Sequence, residues 1–288
     1  MVMLRAAEIV QDMRHGLRLL RRSPGFATLA ILVLALGIGA TVGIFSVIDT
    51  LLMRPLPYVD ADRVVMLWQG STTDADVRHD VAPANFLDWR DQLTSFDAIA
   101  AIAPSSFDYT GAGEPEVLHA AAVSEQFFSA IGVQPAMGRT LTPEEFARGR
   151  NRVIVISHGL WHRIFGGDPN VVGRTVQLDG TAYTVAGVLP STFQPRLLQS
   201  FSDRSVYFPK VFEDYEPRIR GSGYWNVVAR LREGVSIEQA QSELDALSQR
   251  LAAQYPRTNA TVVARAQPLR DHLAGNLRPA LRLLFVAV

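Results

Sequence analysis

A chain of 288 residues with 28 basic and 28 acidic side chains has a formal net charge of zero, so it presents no electrostatic footprint for nucleic acid. Cysteine is absent, which excludes disulfides, thiolate metal sites and cysteine nucleophiles. Hydrophobic residues make up 48% of the chain and the mean hydropathy is +0.10, values suited to a globular core plus one membrane span rather than a multi-span transporter.

Residues 1–24 read as a cytoplasmic amphipathic helix. Ile9, Met13, Leu17 and Leu20 recur at helical spacing, with Arg14, Arg18 and Arg21 between them on the other side, a pattern that suits the inner membrane surface. Ser23-Pro24 ends it, serine as N-cap and proline at the first position of the next helix. From Phe26 to Ile48 no side chain is charged over 23 residues, and a helix of that length crosses a hydrocarbon core of roughly 30 Å. We assign residues 25–53 to a first transmembrane helix. A cleaved signal peptide fits less well, because the run exceeds the usual apolar core and no A-x-A site closes it before Arg54.

Arg14, Arg18, Arg21 and Arg22 crowd the N-terminal flank, whereas Asp49, Arg54, Asp60, Asp62 and Arg63 form a mixed set beyond the span. The positive-inside tendency therefore places the N-terminus in the cytoplasm and residues 54–275 outside, in the periplasm. Gly39 and Gly43 stand four apart within the span, the spacing that lets two membrane helices approach closely, so they are the candidate helix-packing residues.

Beyond Arg63 short strands and short helices alternate, the mark of an α+β domain. Strands are expected at residues 64–69, 98–109, 117–123, 152–156, 175–178 and 183–188. Helices are expected at 84–93, near 125–131 and at 159–165. Asp179-Gly180 is a strong hairpin signal, with Thr181 and Ala182 available to lengthen the loop. Residues 190–204 and 213–223 are expected as mobile loops. The clearest unit comes last. Residues 225–231 read as an alternating strand, and Ser236 to Gln239 has the capping-box form. Ile237, Ala240, Leu244, Leu247 and Leu251 trace one helical face before Pro256, and 261–266 is a further strand. The sheet that this strand–helix–strand needs should draw on residues 64–69. Apolar residues return at 277–288, too few to span, and read as the start of a second membrane helix.

Catalytic and metal motifs are weak. His158 and His162 share a helical face, but the zinc-protease pattern needs glutamate where Gly159 stands, so a structural or surface pair is the better reading. No phosphate-binding P-loop is present, and Lys210 is the only lysine. Glu144 and Glu145 would point apart on a helix, and His158 beside Ser157 lacks an orienting third group. No residue is nominated as catalytic, cofactor-binding or metal-binding.

Several blocks carry a resemblance: DMRHGLRLLRRSPGFA before the span, NFLDWRDQLTSF at 85–96, FFSAIGVQPAMGRTLTPEE at 127–145, and LREGVSIEQAQSELDAL at 231–247. The most specific is the W-x-x-x-F-G-G-D-P…V-G…L-D-G…Y-x-V-x-G-V-x-P run from Trp161 to Pro190. Together they resemble the macrolide-exporter-type (MacB/FtsX-like) ABC transporter permeases, nearest the branch of duplicated orphan permeases. The resemblance implies an α+β periplasmic domain tethered by the N-terminal membrane helix, with a porter-like βαβ lobe at about 60–100 and 205–275 and an inserted lobe at about 101–204. It implies a non-catalytic permease of the bacterial inner membrane, working in export or efflux as a homodimer or pseudo-dimer. ATP hydrolysis then falls to a separate cytoplasmic ABC ATPase, and a periplasmic adaptor is a further implied partner. Arg14, Arg18, Arg21 and Arg22 become the inner-face contacts with membrane lipid or the ATPase. The alternative from another class is a membrane-tethered periplasmic binding or scaffold domain without transport.

Overall fold

The computed structural model describes residues 23–48, 58–74, 77–111, 115–193 and 204–274. The chain divides into two compact units, Met1–Arg54 with Ala274–Val288, and Pro55–Leu273. In the first, helix α1 runs from Pro24 to Ile48, its entry marked by the Ser23 carbonyl accepting from Ala27 N–H. Its apolar side chains, Leu29, Ile31, Leu32, Val33, Leu34 and Leu36 among them, are exposed on every side. Side chains in α1 are described for 24–39, Val42 and Gly43, and among the described residues no helix is long and apolar enough to cross a membrane.

The second unit is built on one sheet of ten strands: β1 (Val64–Ser71), β2 (Phe96–Tyr109), β3 (Glu116–Val123), β4 (Met137–Gly138), β5 (Val153–Ile156), β6 (Thr175–Leu178), β7 (Thr181–Val188), β8 (Val206–Pro209), β9 (Asn226–Leu231) and β10 (Val262–Pro268). The order is β10-β1-β9-β2-β3-β8-β5-β7-β4, with β6 against β7 and the end of β2. Helices α2 (Pro83–Gln92), α3 (Phe127–Ile131), α4 (His158–Phe165), α5 (Ile237–Gln254), α6 (Pro256–Asn259) and α7 (Leu269–Ala274) complete it. The expected strand–helix–strand is β9-α5-β10, and β1 lies between its two strands, antiparallel to both.

The β9 strand does not alternate between core and solvent: all six residues are buried. One face of β1, β2 and β9 packs Val65, Leu67, Ile99, Val227 and Ala229 against Phe86 and Trp89 of α2 and Leu244, Leu247 and Leu251 of α5. The other packs Val64, Met66, Ala100 and Val228 against Phe127, Phe128 and Ile131 of α3. A strand covered on both faces loses the polar half of its period, and the chain meets that with Val227, Val228, Ala229 and Leu231, leaving Asn226 and Arg230 as the buried polar residues. The long β2 strand joins the two halves, since its first half pairs with β9 and its second, from Ile102 onward, with β3. A third core cluster, around Phe107, Ile154, Ile156, Val185 and Val206, fills the far half.

Local chemistry explains the boundaries. Ser236 Oγ accepts from Gln239 N–H while the Gln239 side chain accepts from Ser236 N–H, closing the capping box of α5. Asp179 and Gly180 form a two-residue turn with Leu178 opposite Thr181, and both have positive φ, as a type I′ hairpin requires. The edge strand β10 is shielded by α5. Ser248 Oγ accepts from Ala264 N–H, and the Gln241 side chain donates to Ala264 O and accepts from Ala266 N–H, which removes the backbone groups that invite edge pairing. Residues 213–223, expected as a mobile loop, instead hold a 3₁₀ turn at Glu216–Arg218 pinned by a buried carboxylate. Glu216 accepts from Lys210 at 2.9 Å, Tyr224 Oη at 3.0 Å and Glu213 N–H at 2.7 Å. Within 190–204, residues 194–203 lie outside the described residues, as do 277–288.

Candidate functional site

Residues 59–63 and 269–272 meet at one corner of the sheet. Arg230 belongs to β9 and is 8% exposed, and no carboxylate contacts it among the described residues. Its guanidinium donates instead to backbone carbonyls: Nη2 to Val59 O at 2.9 Å, and Nε to Ala130 O at 3.1 Å and Ser129 O at 3.2 Å at the end of α3. Arginine presents several donors in a planar fork, so one side chain caps a helix and holds an incoming strand at once. Burial lowers the Arg230 pKa from its ordinary value, with repulsion from Arg63 adding to the shift.

Gly132 supplies the room. It ends α3 with φ of 68°, and a Cβ there would stand 2.3 Å from Arg230 Nη2. Next to this, Arg63 Nε donates to Leu231 O at 2.9 Å and its other nitrogens pair with Asp97 and Asp60. The exit is fastened to the entry, for Arg270 of α7 pairs with Asp62 at 3.3 Å, Leu269 is buried, and His272 lies with its ring 5.1 Å from Trp68. We term this corner the clamp.

At the other end of β1, β9 and β10 lies a groove of about 680 Å³ formed by Pro217, Arg218, Arg220, Gln254, Tyr255, Pro256, Arg257 and Thr258. Arg220 is fixed in it: Nη1 donates to Asp88 at 2.5 Å and Asn85 at 3.0 Å, and its guanidinium carbon sits 3.6 Å from the Tyr255 ring centroid. Asn85 also accepts from Asn259 Nδ2 and donates to Gln69, a buried polar network that holds α2 to α6.

Of the residues nominated from sequence, Arg14, Arg18, Arg21 and Arg22 lie outside the described residues. Gly39 and Gly43 sit on α1, and a Cβ at either would meet no atom within 4 Å, so that face is open in the single chain. The His158 and His162 rings lie 4.6 Å apart between centroids, tilted by 55°, beside Trp161, and no cluster of three or more potential metal ligands occurs among the described residues. Sequence reasoning does not nominate the clamp and groove arginines. Arg230, between Ala229 and Leu231 in a mostly aliphatic strand, is the signal available for the clamp.

A model of the MacB-like periplasmic core domain family matches residues 27–247, well over half the chain. The chain belongs to that family. This MacB-like chain also resembles two solved structures in fold. One is the periplasmic region of MacB from Actinobacillus actinomycetemcomitans, 17% identical with a TM-score of 0.50 over 76% of this chain and 94% of that one. The other is a domain assigned to a permease protein from Porphyromonas gingivalis, 15% identical with a TM-score of 0.53 over 73% and 92%. No curated protein matches in sequence. The large mixed sheet is thus the α+β periplasmic domain of an ABC transporter permease.

Proposed function

We propose that this chain is a permease subunit that carries the motion of a cytoplasmic ABC ATPase to its periplasmic domain, for export or efflux. In this reading residues 1–24 lie at the cytoplasmic face, with Arg14, Arg18, Arg21 and Arg22 against lipid headgroups or the ATPase. Residues 25–53 cross the membrane, 54–275 stand in the periplasm as a porter-like lobe with an inserted lobe, and 277–288 begin a second span. Gly39 and Gly43 face a second helix in a homodimer or pseudo-dimer, and the periplasmic domain receives an adaptor. A helix that exposes apolar side chains on every side belongs in hydrocarbon, which supports the tether.

The observation that carries the coupling is the clamp. Entry and exit are joined by Arg270 and Asp62, and the entry is bound to the sheet by Arg230. In this reading the corner is where a displacement arriving from the membrane would be taken up by the sheet. The test uses the chain's lack of cysteine. A Ser71→Cys variant should react with an impermeant maleimide in intact cells, and reversal to glutamate at Arg14, Arg18, Arg21 and Arg22 should abolish ATPase association and efflux. Reaction only after lysis, or efflux undiminished by the charge reversal, would overturn the reading.

A further inference from the structure

The clamp leaves no guanidinium without a partner, whereas the groove at the opposite end leaves two. Arg218 ends the 3₁₀ turn and Arg257 lies in α6; both are exposed and neither has a partner among the described residues. Arg220 between them is neutralised by Asp88 and locked against Tyr255. The groove thus carries a surplus of two positive charges over a floor of Pro217, Tyr255 and Pro256, and no acidic side chain lines it.

Its shape narrows the occupant. A small-molecule site encloses most of its ligand, but this groove is largely open to solvent. Rigid proline and aromatic walls with flanking arginines are the chemistry by which surfaces hold extended peptide segments bearing carboxylates. Lipid is the other source of anionic groups. A lipid headgroup would meet the two arginines but leave the apolar surface of Pro217, Tyr255 and Pro256 unused, whereas a peptide segment can engage both. Edge-strand pairing is also closed to a partner at the outward groups of Ala264 and Ala266, which Ser248 and Gln241 occupy.

We infer that this groove binds an acidic, extended segment of a partner protein, its carboxylates paired with Arg218 and Arg257 and its apolar residues on Tyr255 and the two prolines. The inference goes beyond the transport reading.

The experiment uses the full-length chain in detergent and fluorescein-labelled octapeptides of alternating glutamate and proline, with glutamine–proline and lysine–proline peptides as controls. Anisotropy should show binding of the glutamate peptide alone, weakening as salt rises through about 0.15 M. The double variant Arg218→Glu/Arg257→Glu should lose at least about tenfold in affinity, while Arg148→Glu, an exposed charge outside the groove, should bind as the parent does. Equal binding of the glutamate and glutamine peptides would overturn the inference, as would retention of affinity in the double variant. Tight binding to phosphatidylglycerol vesicles or inorganic phosphate that displaces the peptide, and is lost in the double variant, would also overturn it by making the groove a general anion site. Because efflux is not read out, the transport reading and this one fail separately.

Discussion

The two ends of strands β1, β9 and β10 use the same residue type to opposite effect. At the clamp, Arg230 is buried and all its contacts are carbonyls of its own chain, and Arg63 and Arg270 are paired with Asp97, Asp60 and Asp62. At the groove, Arg220 alone is tied down, while Arg218 and Arg257 stand exposed. Burial decides the difference. A guanidinium taken out of water must satisfy its donors internally and so becomes part of the scaffold, whereas one left in water keeps its hydration and stays available for exchange with a ligand.

The largest effect should come from removing the clamp's central side chain. Arg230→Met keeps much of the volume but strands the carbonyls of Val59, Ser129 and Ala130 beside an apolar side chain. Unsatisfied buried acceptors should cost about 3 kcal/mol, a fall in melting temperature of about 6–12 °C for a unit of this size. Arg230→Lys should recover little, since one ammonium cannot reach both carbonyl groups as the fork does. A melt of either variant within about 1 °C of the parent would remove the clamp from the account.

Next comes the space that admits it. Gly132→Ala forces a left-handed residue to carry a Cβ and drives that atom into Arg230 Nη2 and toward Val59 O, 3.1 Å away, for a cost of about 2 kcal/mol. The combination with Arg230→Met should be less than additive, because the collision disappears with the guanidinium. Full additivity in a thermal-melt cycle would show that the strain is purely backbone.

A smaller, pH-dependent effect sits beside the clamp. Burial alone would raise the Glu243 carboxyl of α5, but hydrogen bonds from Ser95 and Thr94 outweigh it and hold the group below its ordinary value of 4.5. A folded value below the unfolded one means the contribution is fully present above about pH 4.5 and is lost as pH falls through the folded value. The melting temperature of the parent should therefore exceed that of Glu243→Gln at neutral pH, and the gap should close in acid. A gap that widened on acidification would reverse the assignment.

Local rules reach much of this from sequence. The capping box at Ser236, the hairpin at Asp179-Gly180 and the recruitment of β1 to the sheet of β9 and β10 arise from patterns within a few residues or from a sheet that needs another strand; its place between those two strands does not. The features that escape depend on partners far apart in the chain. The pairing of β8 with β3 and β5 joins a four-residue strand, too short to have a period of its own, to segments about 85 and 50 residues earlier. Arg230 meets Val59 across 171 positions, and Arg220 meets Asp88 across 132. The order of residues 213–223 rests on Glu216, whose role is set by Lys210 and Tyr224 and not by the loop-like composition around it.

The smallest effect on stability should fall at the groove, and that smallness is what separates the two ends. Arg218→Ala and Arg257→Ala, singly or together, remove exposed side chains that make no hydrogen bond or ion pair among the described residues, so the melting curve should shift by no more than about 0.5 kcal/mol. Arg220→Ala, in the same groove, should behave as the clamp residues do. It removes the charged donor of Asp88 Oδ2 and one of the two donors to Asn85 Oδ1, and it uncovers Tyr255, at a cost of about 2 kcal/mol. A destabilised Arg218→Ala/Arg257→Ala variant would mean that these arginines already serve the fold, and the contrast between a guanidinium consumed by the scaffold and one held open for a partner would no longer describe this molecule.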